Sequence, residues 1–556
     1  MLKKVLGVLF FSIATSLFAQ VTNEGVPRSW NMSNVKSEIK AIKLPPFDLQ
    51  KIKAEDEIND NNQAKPFRFG YKHHVDYGLN NAGYWNELPN GDRIWRILFE
   101  SENALSLNFS FDKFVMPKGG KVYLYSDDRS DLLGAYTEIQ NQKSEVLSTW
   151  IVKGHKVWIE YFEPKQVKGQ AQLHISTAVH GYRSAQTMKT LGESGDCNHD
   201  VDCPIGSDFE SHRDLLKKAV TLLLVNEQDW CTGTLINNTT EDKTPYVLTA
   251  NHCLFDESGT QRFSTSFISA RFNWISPIPV CAATTASTNG PTNMTISGST
   301  LKANNSDSDV VLLELSGAIP NDWDVTYAGW DRSDTTPSFV VSIHHPQGDI
   351  MKISRDDSGV IKAPHSIDGS PVAQTWEITT AGGGWELGVT EQGSSGSALF
   401  DNDGRIIGQL FGGGALCAGL DDNGALDFYG RFAVSWNSGS TAATRLSDWL
   451  NPAGIAPITL NSLENVLAVN DEFLEQNITI YPNPTTGEIF IDIGNNPDSK
   501  FTITIATLTG QTIYSKKINF SSNISKRLDL SRYEDGIYYL SLFNVNQNLI
   551  KKIILN

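Results

Sequence analysis

All six cysteines of the chain lie in one segment between Cys197 and Cys417, with none on either side. An even number confined to one segment indicates three disulfides that cross-link a single domain. A zinc site is the alternative, but the only close pair, Cys197 and Cys203, is followed by no second pair. Spacing alone leaves the pairing open. The six residues are Cys197, Cys203, Cys231, Cys253, Cys281 and Cys417.

The N-terminus has the pattern of an export signal. Lys3 and Lys4 precede an apolar run over 5–17, and Ala19 before Gln20 offers a cleavage site. This run is too short for a stable membrane span, and no later run is long enough either. We therefore predict a signal peptide at 1–19 and no integral membrane segment after its removal. The mature protein is expected to be secreted, either extracellular or attached to the outer cell surface.

The charge balance restricts the class of partner. The 556 residues include 46 Lys and Arg against 63 Asp and Glu, a formal net charge of −17. A surface this acidic repels phosphate backbones, so we expect no nucleic-acid partner. Hydrophobic residues make up 40% of the chain, which is enough to build several cores at roughly 150 residues per domain.

Hydrophobic alternation predicts an all-β chain. Leu107, Phe109 and Phe111 alternate with polar residues, and Ile489 and Ile491 repeat the pattern near the C-terminus. The predicted parts are a β-sandwich over 67–183, a β-rich block over 197–456, a linker over 459–473 and a small β-sandwich over 476–556.

Three segments of the cysteine-bearing block carry residues typical of nucleophilic catalysis. His252 ends a hydrophobic strand, Asp309 opens another, and Ser395 lies between glycines in the loop 393–397. A serine hydroxyl needs a base to take its proton, and a buried carboxylate must orient that base. The backbone amides of Gly393 and Ser395 are the expected oxyanion donors. Each segment alone also fits a structural role, but the three together favour a catalytic triad.

Stretches throughout this block resemble the lysyl endopeptidases, secreted serine proteases with the trypsin-like, two-barrel fold. They are CNHDVDC at 197–203, CTGTLINN at 231–238, LTANHC at 248–253, SDVVLLEL at 308–315, AGWDRSD at 328–334, SIHHP at 342–346, GVTEQGSSGS at 388–397, IIGQLFGG at 406–413, YGR at 429–431 and RLSDWLNP at 445–452. The resemblance implies a chymotrypsin/trypsin-like double β-barrel over 190–458 with His252, Asp309 and Ser395 as the triad. It also implies the disulfides Cys197–Cys417, Cys203–Cys281 and Cys231–Cys253.

The resemblance further implies cleavage after a basic residue, with Lys preferred and Arg also accepted. It places the carboxylate of the substrate pocket on Asp427, although Asp421 and Asp422 lie in the same loop and a turn residue is the alternative. Phe411, Gly412 and Gly413 should form the edge that binds the substrate backbone. Phe411 replaces the family's histidine, and the tryptophan on which that histidine stacks has no counterpart over 360–375.

Both flanking regions carry resemblances of their own. Residues 20–189 resemble the prodomains of such proteases, at Trp95-Arg96 and HGYR over 180–183, and Lys189 offers a self-cleavage site. An adhesive β-sandwich kept in the mature protein is the alternative. Residues 474–556 resemble the C-terminal sorting domain of type IX secretion substrates, at YPNP over 481–484, LTG over 508–510, DGIY over 535–538 and KKIIL over 551–555. A carbohydrate-binding module is the alternative there.

The leading hypothesis is therefore a serine endopeptidase that acts through an acyl-enzyme. Its partners would be protein substrates and the type IX secretion machinery, and we expect a monomer. The sequence has no HExxH, P-loop or dinucleotide fingerprint, so we expect no cofactor or metal. The rival hypotheses are an inactive protease-fold binding or adhesion protein and a protease of different primary specificity, such as glutamate.

Overall fold

The computed structural model describes residues 25–32, 39–60, 65–183, 194–320, 323–367, 369–378, 384–465, 477–493, 499–507, 512–520, 525–543 and 548–556. The predicted signal peptide and Lys189 lie outside these residues. The chain divides into two compact units, Met1–Asn465 and Val466–Asn556. Among the described residues, no helix is both long and apolar enough to span a membrane.

The N-terminal part of the first unit is a pair of sheets. One sheet orders Ile42–Lys43, Arg93–Glu100, Lys156–Glu163, Lys121–Ser126 and Leu132–Tyr136, with Tyr84–Glu87 beside Arg93–Glu100. The other orders Val152–Lys153, Ser106–Val115, Gln172–Gly181 and Gly70–Gly78, with Leu147–Ser148 beside Ser106–Val115. Leu107, Phe109 and Phe111 are fully buried, as their alternation predicts. Asn108 between them is buried too, because its side chain donates to the Glu227 carbonyl at 2.9 Å.

Two larger, mostly antiparallel sheets follow. The first orders Thr295–Ser297, Ser269–Phe272, Val220–Val225, Asp229–Ile236, Tyr246–Ala250, Val310–Leu315 and Ser299–Asn305, with Phe67–Arg68 beside Asp229–Ile236. The second orders His199–Asp200, Lys352–Asp356, Val340–His344, Ala398–Phe400, Ile406–Gly413, Asp427–Arg431, Ala373–Ile378 and Val360–His365. Trp330–Asp331 lies beside Ile406–Gly413, and Thr459–Leu460 lies beside Trp330–Asp331. Two short ladders pair Thr326–Tyr327 with Leu463–Glu464 and Cys417–Ala418 with Asp421–Asp422. The all-β fold class is confirmed.

Helical segments are short and lie at the margins of the sheets. The longest described helix, Leu49–Asn59, begins at Asp48, whose side chain accepts from the Lys51 amide at 3.0 Å. The other α-helices are Glu210–Leu216, Phe432–Asn437 and Ser447–Leu450. The 3-10 turns are Arg28–Asn31, Glu138–Gln140, Lys165–Val167, Asn251–Cys253, Thr265–Phe267, Ser306–Ser308 and Pro346–Gly348.

The N-terminal sandwich and the first large sheet share one hydrophobic core. Trp230 stacks on Phe69 with ring centroids 4.4 Å apart and lies 5.4 Å from the ring of Trp150. Phe67 and Trp230 also pair as neighbours in the sheet. Other residues of the cysteine-bearing block in this core are Leu222, Leu224, Trp274 and Ile350.

The segment 459–465, expected to begin the linker, instead pairs with two short strands of the first unit. Leu460 pairs with Trp330, and Leu463 pairs with Tyr327. The Asn465 side chain donates to the carbonyl of Pro320 at 3.0 Å. Leu460 and Leu463 are partly buried against the core, and the first unit therefore extends beyond the predicted end of the block at 458.

The C-terminal unit contains two antiparallel ladders. One orders Ile478–Tyr481, Glu488–Ile493 and Lys526–Asp529, and the other orders Thr512–Phe520, Ser499–Thr507, Gly536–Phe543 and Asn548–Leu555. Ile489 and Ile491 are fully buried in its core, as their alternation predicts.

Candidate active site

His252 is positioned by the strand Tyr246–Ala250 of the first large sheet. All residues of this strand are buried, and the chain then enters the 3-10 turn Asn251–Cys253. Only 6% of His252 is exposed. Cys253 is bonded to Cys231 of the neighbouring strand. The disulfide therefore fixes the end of the strand next to the imidazole.

Asp309 binds both the backbone and the ring of His252. It lies between the turn Ser306–Ser308 and the strand Val310–Leu315 with φ of 52°, a left-handed conformation that Asp tolerates better than most residues. Its Oδ1 accepts from the His252 amide at 2.9 Å, and its Oδ2 accepts from Nδ1 at 2.8 Å. Burial raises the pKa of Asp309, and the adjacent His252 opposes that rise.

This pairing determines which imidazole nitrogen is available for catalysis. A proton on Nδ1 is directed at Asp309, so the lone pair of the neutral ring resides on Nε2. The His252 Nε2 atom is buried and has no hydrogen-bond partner among the described residues. The geometry leaves this nitrogen to act as a proton acceptor.

Gln409 of the second large sheet supports Asp309 from the other side. Its Nε2 donates to the carbonyl of Ser308 at 2.6 Å and, less closely, to that of Asp309 at 3.3 Å. Sequence reasoning missed this residue. It lies 100 positions from Asp309, and only the pairing of strands brings the two together.

Ser395 lies in a loop that leads into the strand Ala398–Phe400 of the second sheet, and its backbone approaches the turn that bears His252. The residue is 3% exposed, and its carbonyl accepts from the Thr232 amide at 2.8 Å. The Cys253 Sγ atom lies 3.9 Å from that carbonyl oxygen. The structure thus brings the loop 393–397, the serine loop, against the turn that carries His252.

The loop around Ser395 depends on glycine at two positions. Gly393 has φ of 86°, and a Cβ there would lie 2.9 Å from the Gln347 amide nitrogen. Gly396 has φ of 85°, and a Cβ there would lie 2.2 Å from Thr249 Oγ1. Both positions therefore require glycine, and the Gly393 carbonyl is held by Thr232 Oγ1 at 2.9 Å. This conformation places the predicted oxyanion donors, Gly393 and Ser395, on one tight turn.

Asp427 is fully buried at the start of the strand Asp427–Arg431. Its Oδ2 accepts from Trp385 Nε1 at 2.8 Å and from Thr390 Oγ1 at 2.6 Å. Its Oδ1 accepts from the Ala415 amide at a longer 3.4 Å. Burial raises the pKa of Asp427 to about 6, while the Thr390 and Trp385 donors oppose that rise. A carboxylate held by neutral donors is suited to receive an external cation.

The strand Ile406–Gly413 carries the predicted substrate edge. Phe411 is 2% exposed, and its ring centroid lies 6.2 Å from that of His252. Gly412 and Gly413 pair with Phe428 and Asp427 on one side. A Cβ at Gly413 would lie 2.2 Å from Asp427 Oδ1, so glycine is required there. Phe411 thus lies beside the candidate base, and Gly413 lies beside the candidate pocket acid.

Sequence reasoning sought a stacking tryptophan over 360–375 and found none. The structure places His365 in that region, stacked on Phe428 with ring centroids 3.8 Å apart, and Glu377 accepts from its ring at 2.8 Å. Trp385, beyond the searched range, binds Asp427 instead. A position-by-position comparison could not find it, because its role depends on a loop conformation.

The three disulfides are those implied by the resemblance. Each bridges segments far apart in sequence, with separations of 220, 78 and 22 positions. The pairs are Cys197–Cys417, Cys203–Cys281 and Cys231–Cys253.

Comparisons with known proteins find two regions of similarity in the chain. Residues 191–430 match the family model for the lysyl endopeptidase C-terminal domain, and residues 479–556 match the model for the secretion system C-terminal sorting domain. A lysyl endopeptidase of Pseudomonas aeruginosa is 24% identical over 369 residues, which cover 63% of this chain and 75% of the relative.

Two solved structures also match part of the chain. The crystal structure of Deg5 has 14% identity and a TM-score of 0.25, and covers 41% of this chain and 91% of its own. The MamO protease domain from Magnetospirillum magneticum has 12% identity and a TM-score of 0.26, and covers 39% of this chain and 94% of its own.

The chain is a serine protease that is secreted or attached to the cell surface. Its residues 191–430 are similar to the lysyl endopeptidase C-terminal domain, and its residues 479–556 are similar to the secretion system C-terminal sorting domain.

Proposed function

We propose that the protein is an endopeptidase that hydrolyses peptide bonds after basic residues, with Lys preferred over Arg. The observation that carries the proposal is Asp427, a fully buried carboxylate that accepts hydrogen bonds from the neutral donors Trp385, Thr390 and Ala415. A glutamate-directed pocket would need the opposite charge, because a buried carboxylate repels a substrate carboxylate.

The proposed chemistry begins with attack by the Ser395 hydroxyl on the scissile carbonyl. His252 Nε2 takes the hydroxyl proton, while Asp309 keeps the ring oriented and stabilises the imidazolium. The amides of Gly393 and Ser395 stabilise the negative oxygen of the tetrahedral intermediate. His252 then gives its proton to the leaving amine, and an ester to Ser395 remains. Water activated by the same nitrogen hydrolyses that ester.

The preference for Lys follows from the unequal oxygens of Asp427. Oδ2 already accepts two short hydrogen bonds, from Trp385 and Thr390. Oδ1 accepts the longer Ala415 bond and retains capacity for a further donor. An ammonium group can use one oxygen, whereas the fork of a guanidinium binds best to two.

The N-terminal region is proposed to be a prodomain. The end of its helix Leu49–Asn59 reaches the serine loop, where Gln392 Nε2 donates to the Asn59 carbonyl at 3.0 Å. Gln392 directly precedes the oxyanion residue Gly393, so this contact supports an inhibitory role. Cleavage after Lys189 is proposed to break the covalent link between the prodomain and the protease.

The C-terminal domain is proposed to engage the type IX secretion machinery and to be removed on release or attachment. Under this proposal the domain directs export across the outer membrane and contributes nothing to hydrolysis. The mature protease would then act as a monomer on protein substrates.

A series of reporter peptides tests the proposed specificity. The peptides differ only in the residue before the scissile bond, which is Lys, Arg, norleucine or Glu, and Ser395→Ala serves as the control. We expect kcat/KM to fall in the order Lys, Arg, norleucine and Glu, with no cleavage by the variant. Equal rates for Lys and norleucine would contradict the role of Asp427. Absence of cleavage by the processed wild type would favour the binding or adhesion hypothesis.

A further inference from the structure

A buried carboxylate that the proposed mechanism does not use lies four residues before Ser395. Glu391 is 8% exposed, and its Oε2 accepts from the Gly195 amide at 3.0 Å and from Asn198 Nδ2 at 3.0 Å. Burial raises the pKa of Glu391, and these donors oppose the rise. Both donors come from the start of the protease region, nearly 200 positions away in the chain.

The backbone of Glu391 is part of the same turn as Ser395. Its carbonyl accepts from the Ser394 amide at 2.9 Å, and its own amide donates to Ser394 Oγ at 3.2 Å. Ser394 Oγ also lies 2.7 Å from Nδ1 of the buried His344. A movement of the Glu391 side chain would therefore be transmitted directly to the residue between Gly393 and Ser395.

The segment 194–198, which contains the donors Gly195 and Asn198, is itself held in place by its neighbours. Cys197 is bonded to Cys417, and Ser194 Oγ donates to Asp349 Oδ2 at 2.6 Å. Gly195 fits closely, because a Cβ there would lie 2.5 Å from Cys417 Sγ and 3.1 Å from Glu391 Oε1. The chain is thus anchored on both sides of Gly195, whose amide donates to Glu391.

We propose that Glu391 is a positioning residue for the oxyanion hole. By accepting from Gly195 and Asn198, it ties the start of the protease region to the turn 391–395 and holds the amides of Gly393 and Ser395 in the productive geometry. The inference rests on the proposed serine-protease mechanism and adds a role for the residues just after the expected processing site.

The position of Glu391 predicts a selective kinetic effect. The carboxylate acts through the turn and not through the pocket acid Asp427, so its loss should weaken transition-state stabilisation and leave binding of the basic side chain intact. Removing one oxyanion donor typically costs about 100-fold or more in kcat. A displaced but present donor should cost less, roughly 10- to 100-fold.

The test compares Glu391→Ala, Glu391→Gln and Asn198→Ala in the processed enzyme with a Lys reporter peptide. We expect Glu391→Ala to lower kcat roughly 10- to 100-fold with KM unchanged, and Asn198→Ala to have a smaller effect of the same kind. Glu391→Gln should recover most of kcat, because its amide oxygen can accept both hydrogen bonds. Binding of p-aminobenzamidine, a cationic pocket probe, should be unchanged in all three.

Asp401→Ala is the matched control. Asp401 is also a buried carboxylate that accepts two backbone amides, those of Asp403 and Arg405, but it lies in the turn after Ala398–Phe400. Its loss should lower the melting temperature and leave kcat unchanged. An equal loss of kcat in this control would overturn the proposal.

Three further results would also overturn it: unchanged kcat in Glu391→Ala, a Glu391→Gln variant no better than Glu391→Ala, or a rise in KM that accounts for the loss. If Glu391→Ala fails to fold and binds no probe, Asn198→Ala must still lower kcat at constant KM. If the protein is not a serine protease, the wild type will be no more active than Ser395→Ala. That result distinguishes failure of the proposed function from failure of the role proposed for Glu391.

Discussion

The two buried carboxylates of the site differ in their partners. Asp309 faces the ring and the amide of His252, whereas Asp427 faces the neutral donors Trp385 and Thr390. Neutral donors orient a carboxylate without cancelling its charge. Under the proposed function, Asp427 is therefore the acid that pairs with a substrate cation, and Asp309 is the acid that stabilises an imidazolium.

We predict that Asp427→Asn raises the unfolding free energy at high pH and lowers the catalytic activity. Burial raises the pKa of Asp427 to about 6, above about 3.9 in an unfolded chain. The protonated acid therefore contributes stability below about pH 4, and this contribution is lost as the pH rises through about 6. Asp427→Asn should exceed the wild type in unfolding free energy at pH 8 by up to about 3 kcal/mol, and match it below about pH 4. Urea unfolding at both pH values measures this difference.

Activity should respond to Asp427→Asn in the opposite direction. The variant should lose about 100-fold or more in kcat/KM for a Lys reporter, because the buried ion pair is gone. In the wild type, the ratio of kcat/KM for Lys over norleucine should rise as the pH passes about 6 and the carboxylate ionises. A ratio of kcat/KM for Lys over norleucine that stays constant between about pH 5 and about pH 8 would contradict this role.

The residues of the candidate triad could be predicted from the sequence more readily than the residues that contact the site. His252, Asp309 and Ser395 stand in short motifs, so each could be named before the fold was known. Trp385 and Thr390 lie 42 and 37 positions from Asp427 and contact it only because strands and loops converge. No local pattern records such a contact. The same reason explains why Gln409 and Glu391 were missed.

At the scale of elements, the site depends on how strand ends are fastened. The strand Tyr246–Ala250 ends at the turn that bears His252, and Cys231–Cys253 ties that turn to the adjacent strand. The extent of the second sheet was less predictable. The segment 459–465 looks like a linker because it is short and polar, yet Leu460 and Leu463 pair with existing strands.

We predict that removing the Cys231–Cys253 disulfide affects catalysis as well as stability. Replacing both cysteines with serine should lower the unfolding free energy by about 2–4 kcal/mol. It should also lower kcat, because the turn with His252 would lose its covalent anchor. Thermal melting and reporter kinetics measure the two effects.

The Cys203–Cys281 disulfide provides the control for that experiment. It closes a longer segment of 78 positions and involves neither the His252 turn nor the serine loop. Its removal should lower stability while kcat at a permissive temperature stays near the wild-type value. Equal loss of kcat in the two double variants would mean that the effect on catalysis is a general consequence of destabilisation.

At the scale of the whole molecule, the N-terminal sandwich and the protease region are built around shared apolar residues. Trp230 of the protease region is buried between Phe69 and Trp150 of the sandwich. Hydrogen bonds add to this contact, since Lys72 Nζ donates to Asn226 and Glu227. Separation would expose several large apolar side chains to water, which is unfavourable.

We predict that cutting the chain between Arg183 and Ser194 leaves the two parts associated. The cut protein should elute as one species in gel filtration under native conditions and as two in denaturant. Trp230→Ala should weaken the association, because it removes the side chain at the centre of the contact. Leu420→Ala, at an exposed apolar position elsewhere, is the control. Complete separation of the cut wild type under native conditions would contradict a stable shared core.

Ser395 as the nucleophile and Asp427 as the determinant of specificity are tested together by one labelling measurement. The processed protein is incubated with peptide phosphonates that carry Lys or Glu next to the phosphorus, and the adduct is located by mass spectrometry of the digested protein. We predict one adduct per chain, on Ser395, from the Lys reagent and essentially none from the Glu reagent. Labelling at another residue, or equal labelling by both reagents, would contradict the account.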